Sequence, residues 1–277
     1  MPDSTPAVPA AALNPQLSAF DQLCDIVARL RAPKGCPWDR EQTNETLLPG
    51  LIEEAYEVAG AVRARDDRNL REELGDLILL AVMHAQIAEE GGRFNISDTL
   101  EDVTTKLIRR HPHVFGESKV RDTDGVVKQW EAIKREEKSP DSHYLADLPT
   151  ALPALMRAQK AQKKAARVNF DWTEVSDVVA KVDEELAETK EAMSSGDSTE
   201  IAAEIGDLLF AVVNLARKNG LDAESLLQAA TEKFVSRFGQ VEDELRKSGR
   251  RLGEVGLEEL DQIWNAVKVR GRQATQS

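Results

Sequence analysis

The acidic sequence EEAYE at residues 53–57, followed by ELGD at residues 73–76, occurs again as EELAE at residues 184–188 and EIGD at residues 204–207. Each of the five shared acids recurs at an offset of 131 residues, as from position 53 to position 184, and 15 residues separate the two clusters in both copies. Residues three or four apart share one face of an α-helix. The repeat therefore predicts two similar halves, each with its own carboxylate site.

The apolar residues around these clusters recur at helical spacing, as at positions 74, 77, 78 and 81, and no convincing run alternates with period two. Charged residues make up 31% of the chain and aromatic residues 5%, which suits amphipathic helices better than strands. We therefore predict an all-α fold. The apolar neighbours of the acids are predicted to seat the acidic helices in the core; they are Ile78, Leu79 and Leu80 in the first half and Leu186, Leu208, Leu209 and Phe210 in the second.

The domain boundaries follow from helix start and stop signals and from three prolines between residues 140 and 153. The repeat itself favours two domains over one. We predict a flexible tail at 1–16, a first domain at 17–138, a linker at 139–149, a second domain at 150–270 and a tail at 271–277.

The composition excludes several classes of partner and compartment. With 36 basic and 49 acidic side chains, the formal net charge is -13, which repels nucleic acid and anionic lipid. Two cysteines are too few for a disulfide framework, and no apolar stretch reaches the length of a membrane span. We therefore expect a cytoplasmic protein without nucleic-acid or membrane partners. Divalent cations would still allow such an acidic chain to bind a polyphosphate.

The carboxylates of the second half predict a metal site. Glu185 and Glu188 share one helix face, and Glu204 and Asp207 share another, so antiparallel packing of the two helices would bring four carboxylates together. Such a cluster is unfavourable without a counter-ion. Oxygen ligands select hard cations, which indicates Mg²⁺ or Mn²⁺. A single acidic string is commonly a solvated helix face, but a duplicated five-acid pattern is not.

Basic and aromatic residues are repeated as well. Lys233 and Arg237 stand one turn apart and could bind phosphate oxygens, although ordinary surface charge explains the same spacing. Trp264 could stack on a base and Lys268, four residues later, could reach a phosphate, although a core tryptophan is an equal alternative. The corresponding residues of the first half are Lys106, Arg110, Trp130 and Lys134.

Other chemistries lack their motifs. None of the four histidines has a glutamate three residues before it, as di-iron bundles require. The sequence also has no His-Glu-x-x-His zinc site, no phosphate-binding Gly-x-x-x-x-Gly-Lys loop and no Gly-x-Gly-x-x-Gly motif. Redox, zinc and P-loop chemistry are therefore disfavoured.

The acidic motifs, together with GCPWD at 35–39, EQT at 41–43 and DQIWNAVK at 261–268, resemble the tandem-domain MazG nucleoside triphosphate pyrophosphohydrolases. The resemblance extends from about residue 20 to residue 268. It implies two domains with four-helix cores, a homodimer, and Mg²⁺-dependent hydrolysis of NTPs and dNTPs to the monophosphate and pyrophosphate, a nucleotide-pool house-cleaning activity. Mn²⁺ is the expected substitute.

The resemblance also assigns roles to individual residues. In the second domain it implies Glu185, Glu188, Glu204 and Asp207 as metal ligands, with Glu184 or Glu185 taking the proton of the attacking water. It implies nucleotide contacts from Lys181, Lys233, Arg237, Trp264 and Lys268. In the first domain the metal ligands would be Glu54, Glu57, Glu73 and Asp76, and the remaining counterparts are Glu53, Lys106, Arg110, Trp130 and Lys134.

The two halves differ at one cation. Lys181 precedes the second cluster, whereas the corresponding position of the first half is Gly50. We therefore expect the second domain to be the main catalytic site, without excluding activity in the first. Two alternatives stay open: a catalytically weak scaffold that senses nucleotides, or a narrower enzyme acting on dUTP, dCTP or phosphoribosyl-ATP.

Overall fold

A computed structural model describes residues 18–137 and 143–274 of the chain, with side chains as far as residue 270. The chain divides into two compact units, one before and one after residue 139. Within the described ranges every regular element is a helix, which confirms the all-α prediction. None of these helices combines the length and the apolar character needed to cross a membrane.

The first unit contains seven helices, of which two are short. They are α1 (Ala19–Arg31), α2 (Pro37–Glu41), α3 (Asn44–Ala64), α4 (Asp67–Glu90), α5 (Ile96–Arg110), α6 (Pro112–Phe115) and α7 (Thr123–Glu136). The second unit contains α8 (Ala154–Ala166), α9 (Val175–Ser195), α10 (Ser198–Lys218), α11 (Ala223–Lys247) and α12 (Leu257–Ala274).

The sequence repeat forms a helical hairpin in each unit, α3–α4 and α9–α10, and each hairpin has the most extensive helix packing of its unit. Asp66 caps α4 by accepting from two backbone N–H groups, and Asp197 caps α10 in the same way. The residue before each cap is left-handed: Gly196 has φ +76° and Arg65 has φ +56°. Glycine adopts this conformation without a Cβ clash, so the second hairpin makes the same turn with less strain.

The remaining helices position the hairpins. In the first unit α1 packs on α4 around Val27, Leu47, Val82 and Met83, which form the buried core. In the second unit α8 packs on α10 and α11, whereas α12 packs mainly on α11. The fully buried side chains of this unit are Val178, Leu245 and Val267.

The predicted burial of the seven apolar neighbours of the acids was wrong for four of them. Leu79 and Leu80 pack against the core of the first unit and Leu208 is half-buried, but the other four are exposed. The exposed fraction is 39% for Leu186, 47% for Ile78 and Phe210, and 55% for Leu209. Each hairpin buries a narrow seam along its own two helices, so the apolar stripes that are wider than the seam remain uncovered within one chain. Both acidic hairpins therefore carry exposed apolar surface.

The described residues bear on only part of the predicted domain scheme. The tail at 1–16 lies outside them, as do residues 139–142 of the linker and residues 275–277 at the end. Helix α12 continues through Ala274 and so extends beyond the domain end at residue 270. The stated boundaries of the two domains remain a proposal.

Candidate active site

The second hairpin brings the predicted carboxylates together. Carboxylate oxygens of Glu185 and Glu188, from α9, and of Glu204, from α10, lie within 4.8 Å of one another. Burial raises the pKa of Glu204, and the negative charges of Glu188, Asp207 and Glu185 raise it further. Asp207 is thus close enough to act on the cluster, and the four acids form one electrostatic unit.

Lys181 is held inside this acidic cluster. Its ammonium group lies 2.7 Å from an oxygen of Glu184 and 2.8 Å from an oxygen of Glu185. These hydrogen bonds, to Glu184 first and Glu185 second, raise the pKa of Lys181 above its usual value, so the side chain stays protonated. Lys181 therefore offsets part of the clustered charge and fixes the two side chains that the sequence nominated as proton acceptors.

The donor set fits a hard divalent cation. All the converging groups are carboxylates, and one lysine cannot neutralise five acids on adjacent helix turns. Burial and then the neighbouring carboxylate charges raise the pKa of Glu204, and a bound cation would offset those charges.

An apolar cavity of about 290 Å³ adjoins the carboxylates. It lies among α8, α9, α10 and the loop before α9, and Phe170, Trp172 and Phe210 form its aromatic part. Glu185 and Asp207 belong to its wall, as does Lys181. The cavity is therefore continuous with the polar cluster.

Two buried amides supply polar groups to the cavity wall. Gln162 donates from Nε2 to the Phe210 carbonyl at 2.8 Å, and its Oε1 is buried without a hydrogen-bond partner. Asn214 accepts from the Nε of Arg217 at 2.8 Å, and Arg217 in turn forms an ion pair with Asp171 at 2.5 Å. The wall thus combines fixed polar groups with an unused acceptor.

The predicted cations and tryptophan of the second domain lie on another helix pair. Lys233 and Arg237 belong to α11, and Trp264 and Lys268 to α12. The Trp264 ring is half-buried, with its centroid 5.2 Å from that of Phe234. None of these side chains belongs to the described wall of the cavity, where Lys181 is the nearest of the predicted nucleotide contacts.

The first hairpin forms a matching cluster without a lysine. Oxygens of Glu54, Glu57 and Glu73 lie within 4.8 Å of one another, and Glu73 is buried. Burial is the main cause that raises the pKa of Glu54 and of Glu73, whereas the charge of Glu73 is the main cause for Glu57. Asp76 and Glu53 add further negative charge. Oε2 of Glu54 is buried without a partner, as an unfilled ligand position would be.

Of the three cations predicted for the first site, Arg110 and Lys134 contact other side chains, and Lys106 is exposed. Arg110 forms a two-point ion pair with Glu137, at 3.2 Å and 2.5 Å. The guanidinium carbon of Arg110 lies 5.6 Å from the Trp130 ring centroid, and the ammonium of Lys134 lies 5.0 Å from it. Trp130 therefore has two cations at its ring, whereas Trp264 has an aromatic neighbour.

Sequence reasoning missed several residues of this architecture. Gln162, Asn214 and Arg217 lie on α8 and α10, and no repeated motif distinguishes them from other polar helix residues. Trp172 precedes the acidic helix of the second half as Trp38 precedes that of the first, but no motif marks it as part of a cavity wall. Glu137 carries no motif either, because its role depends on the packing of α7 against α5.

Two family models match the chain. Residues 42–115 match the MazG nucleotide pyrophosphohydrolase domain, and residues 152–234 match phosphoribosyl-ATP pyrophosphohydrolase. Each match includes one acidic hairpin site. The helical fold and its two carboxylate clusters thus define a protein of the nucleotide pyrophosphohydrolase class.

Curated relatives match nearly the whole chain. It is 46% identical over 250 residues to the nucleoside triphosphate pyrophosphohydrolase/pyrophosphatase MazG of Thermotoga maritima, covering 90% of this chain and 95% of that protein. It is also 46% identical over 257 residues to a nucleoside triphosphate pyrophosphohydrolase of Escherichia coli K12, with 91% and 98% coverage. The chain therefore belongs to the MazG family, whose pyrophosphohydrolases are generally divalent-metal dependent.

A solved structure covers a smaller part. The crystal structure of a mazG-related protein from Thermotoga maritima is 34% identical, with a TM-score of 0.37, and covers 42% of this chain and 98% of that one. A TM-score this low does not support a fold assignment, which depends instead on the helices described above.

Proposed function

We propose that this chain hydrolyses NTPs and dNTPs to the monophosphate and pyrophosphate with Mg²⁺, and that the second unit contains the main catalytic site. The activity agrees with the names of the two relatives from Thermotoga maritima and Escherichia coli, which match 90% and 91% of this chain. Mn²⁺ is the proposed substitute because it favours the same oxygen donors.

The observation that carries this proposal is the continuity between the acidic cluster and the apolar cavity. Lys181, Glu185 and Asp207 belong to both. A nucleoside triphosphate has the same division, with a flat apolar base at one end and a polyphosphate at the other. The cavity of about 290 Å³ is near the lower limit of small-ligand sites, which suits the base and sugar.

The proposed metal ligands are Glu185, Glu188, Glu204 and Asp207. A divalent cation held there would neutralise phosphate charge and lower the pKa of a bound water. Glu184 lies beside the cluster and is hydrogen-bonded to Lys181, so it is placed to accept the proton of the attacking water, with Glu185 as the alternative acceptor. Water then adds to the α-phosphorus as the bond to the bridging oxygen breaks, and pyrophosphate leaves.

The residues of α11 and α12 are proposed to bind the remaining phosphate charge. Lys233 and Arg237 have no carboxylate partner among the described residues, so their charges are available to an anion. Arg237 would give two-point contacts and Lys233 a point charge. Trp264 and Lys268 complete this proposed nucleotide-binding set.

A homodimer is the proposed assembly. On α11 the large apolar side chains of Leu227, Phe234 and Val235 are more than half exposed, in addition to those of the acidic hairpins. Apolar surface of this kind on one chain marks an interaction site, and a second copy would cover it. Light scattering coupled to gel filtration is expected to give about twice the 30.6 kDa chain mass; a monomer at micromolar concentration would contradict the dimer.

Phosphorus NMR tests the reaction. The full chain is incubated with Mg²⁺ and a panel of NTPs, dNTPs, dUTP, dCTP and phosphoribosyl-ATP, the last because residues 152–234 match that family model. We expect monophosphate and pyrophosphate from several NTPs and no product with EDTA. Orthophosphate and the nucleoside diphosphate as products would contradict the reaction. Turnover of phosphoribosyl-ATP alone would replace it with the narrower activity. A nucleotide-dependent rise in melting temperature without product would favour the sensing scaffold.

A further inference from the structure

The α5–α7 contact of the first unit contains an arginine–carboxylate arrangement that the second unit lacks. Glu137, at the C-terminal end of α7, receives hydrogen bonds from Arg110 at both of its oxygens, at 3.2 Å and 2.5 Å. Arg109 adds a contact of 2.6 Å to the same carboxylate. The side chains of Arg110 and Glu137 are 17% and 21% exposed, so water screens this pair only in part.

Arg110 is also the proposed phosphate ligand of the first domain. Its position in the repeat is that of Arg237, one turn after a lysine in both halves. The planar fork of a guanidinium binds carboxylate and phosphate in the same two-point manner. A carboxylate already in that fork therefore competes directly with a phosphate.

The second unit has no equivalent acid. Glu137 stands three residues after Lys134, and the residue three positions after Lys268 is Gly271. Arg237 has no carboxylate partner among the described side chains. The two copies of the phosphate-binding arginine thus differ in whether an internal anion occupies them.

We propose that Glu137 acts as an internal competitor of the triphosphate at the first domain, and that it directs nucleoside triphosphates to the second. This inference rests on the proposed function, because it takes Arg110 to be a phosphate ligand. The strength of the pair supports it: hydrogen bonding from Arg110, more than from Arg109, lowers the pKa of Glu137 to about 2. The carboxylate is therefore charged at any pH at which nucleotides are bound.

The test measures triphosphate binding to the first domain in the full chain. Glu188→Ala and Asp207→Ala together remove two proposed metal ligands of the second cluster and so weaken binding there. In this background α,β-methylene-ATP with Mg²⁺ is titrated by calorimetry, since its bridging carbon resists cleavage. In this background Glu137→Gln is expected to raise the affinity about tenfold or more, because it frees a charge-assisted two-point donor. Glu136→Gln makes the same change in net charge at the adjacent exposed position, and a change below twofold is expected.

Three results would overturn the inference: equal affinities in Glu137→Gln and Glu136→Gln, a gain that persists after Arg110→Ala is added, or no binding in any variant. Glu137→Asp keeps the charge on a shorter side chain and should give a smaller gain, which provides a second measurement if Glu137→Gln unfolds. The proposed function is checked separately by hydrolysis in the unaltered chain. If the unaltered chain does not hydrolyse nucleotides but Glu137→Gln raises the affinity, only the proposed function is contradicted. If the chain hydrolyses nucleotides but Glu137→Gln does not raise the affinity, only the inference is contradicted.

Discussion

The two acidic hairpins have the same carboxylates and a different charge balance. In α9 the ammonium of Lys181 lies within 2.8 Å of Glu184 and Glu185, whereas the corresponding position in α3 is Gly50. The pKa is raised for three glutamates of the first cluster, Glu54, Glu57 and Glu73. In the second cluster it is raised for Glu204. Keeping the ligands of a metal site thus does not keep its electrostatics, because the balancing cation is a separate residue.

The surroundings of the clusters differ in the same direction. The second cluster opens into an aromatic cavity, and its arginine has no internal carboxylate partner among the described side chains. In the first unit Arg110 forms an ion pair with Glu137. Under the proposed function, the cavity and Arg237, unpaired among the described side chains, would both favour substrate binding at the second site, and each can be altered by mutation.

Loss of one carboxylate should separate the two sites most strongly. Glu188→Gln removes a proposed ligand of the second cluster, and Glu57→Gln removes its counterpart in the first. Since losing even an outer-shell partner of a metal costs 10–100-fold, we expect Glu188→Gln to lower kcat/KM at least about 100-fold. Glu57→Gln should stay within about twofold if the second site dominates. Equal losses measured by pyrophosphate release would contradict this division of labour.

The paired tryptophans give the next largest contrast. Trp172 forms part of the cavity wall, whereas Trp38 is 63% exposed in the first unit. Stacking on a base contributes about 1–3 kcal/mol, so Trp172→Ala should lower kcat/KM by roughly 10-fold, mainly through KM. Trp38→Ala is the matched control, and its kcat and KM are expected to be unchanged. An unchanged KM for Trp172→Ala would show that the cavity does not receive the base.

Much of this fold could be predicted because its determinants are local. Helical periodicity and the 131-residue repeat predicted the helices of the two hairpins, and the spacing of the acids predicted that carboxylates come together in each. The exposure of Leu209 and Phe210 could not be predicted in this way, because it depends on which helices cover each face of the hairpin. The same is true of the cavity amide Gln162 and of Glu137, whose roles come from contacts between helices distant in sequence.

The pH dependence of stability should differ between the clusters without metal. Burial and neighbouring charge raise the pKa of Glu54, Glu57 and Glu73 in the folded state. Above the ordinary glutamate pKa of about 4.3 the folded chain therefore holds more protons than the unfolded chain, so stability falls as pH rises through the raised values. In urea unfolding with EDTA, Glu73→Gln should flatten this fall more than Glu204→Gln, and Mg²⁺ should suppress it. An equal effect of the two variants would contradict the charge contrast.

The smallest predicted effect supplies the missing cation. A Cβ at Gly50 would meet only Leu80 Cδ1, at 3.9 Å, which is an ordinary van der Waals contact, so the backbone accepts a side chain at this position. Gly50→Ala measures the gain in helix propensity alone, which is about 1 kcal/mol, or roughly 4 °C in melting temperature for a unit of this size. In EDTA, Gly50→Lys should raise the melting temperature further. Its ammonium can reach Glu53 and Glu54, which correspond to the two glutamates that Lys181 contacts in the second hairpin.

That further increase should disappear at pH 4, where the glutamates become protonated, and it should shrink in Mg²⁺, which supplies the same charge. Calorimetric melting of the two variants at pH 7 and pH 4 measures both dependences. If Gly50→Lys and Gly50→Ala melt together at pH 7, the raised pKa values of the first cluster do not come from a missing cation. The contrast between the two hairpins would then depend on Glu137 and the cavity alone.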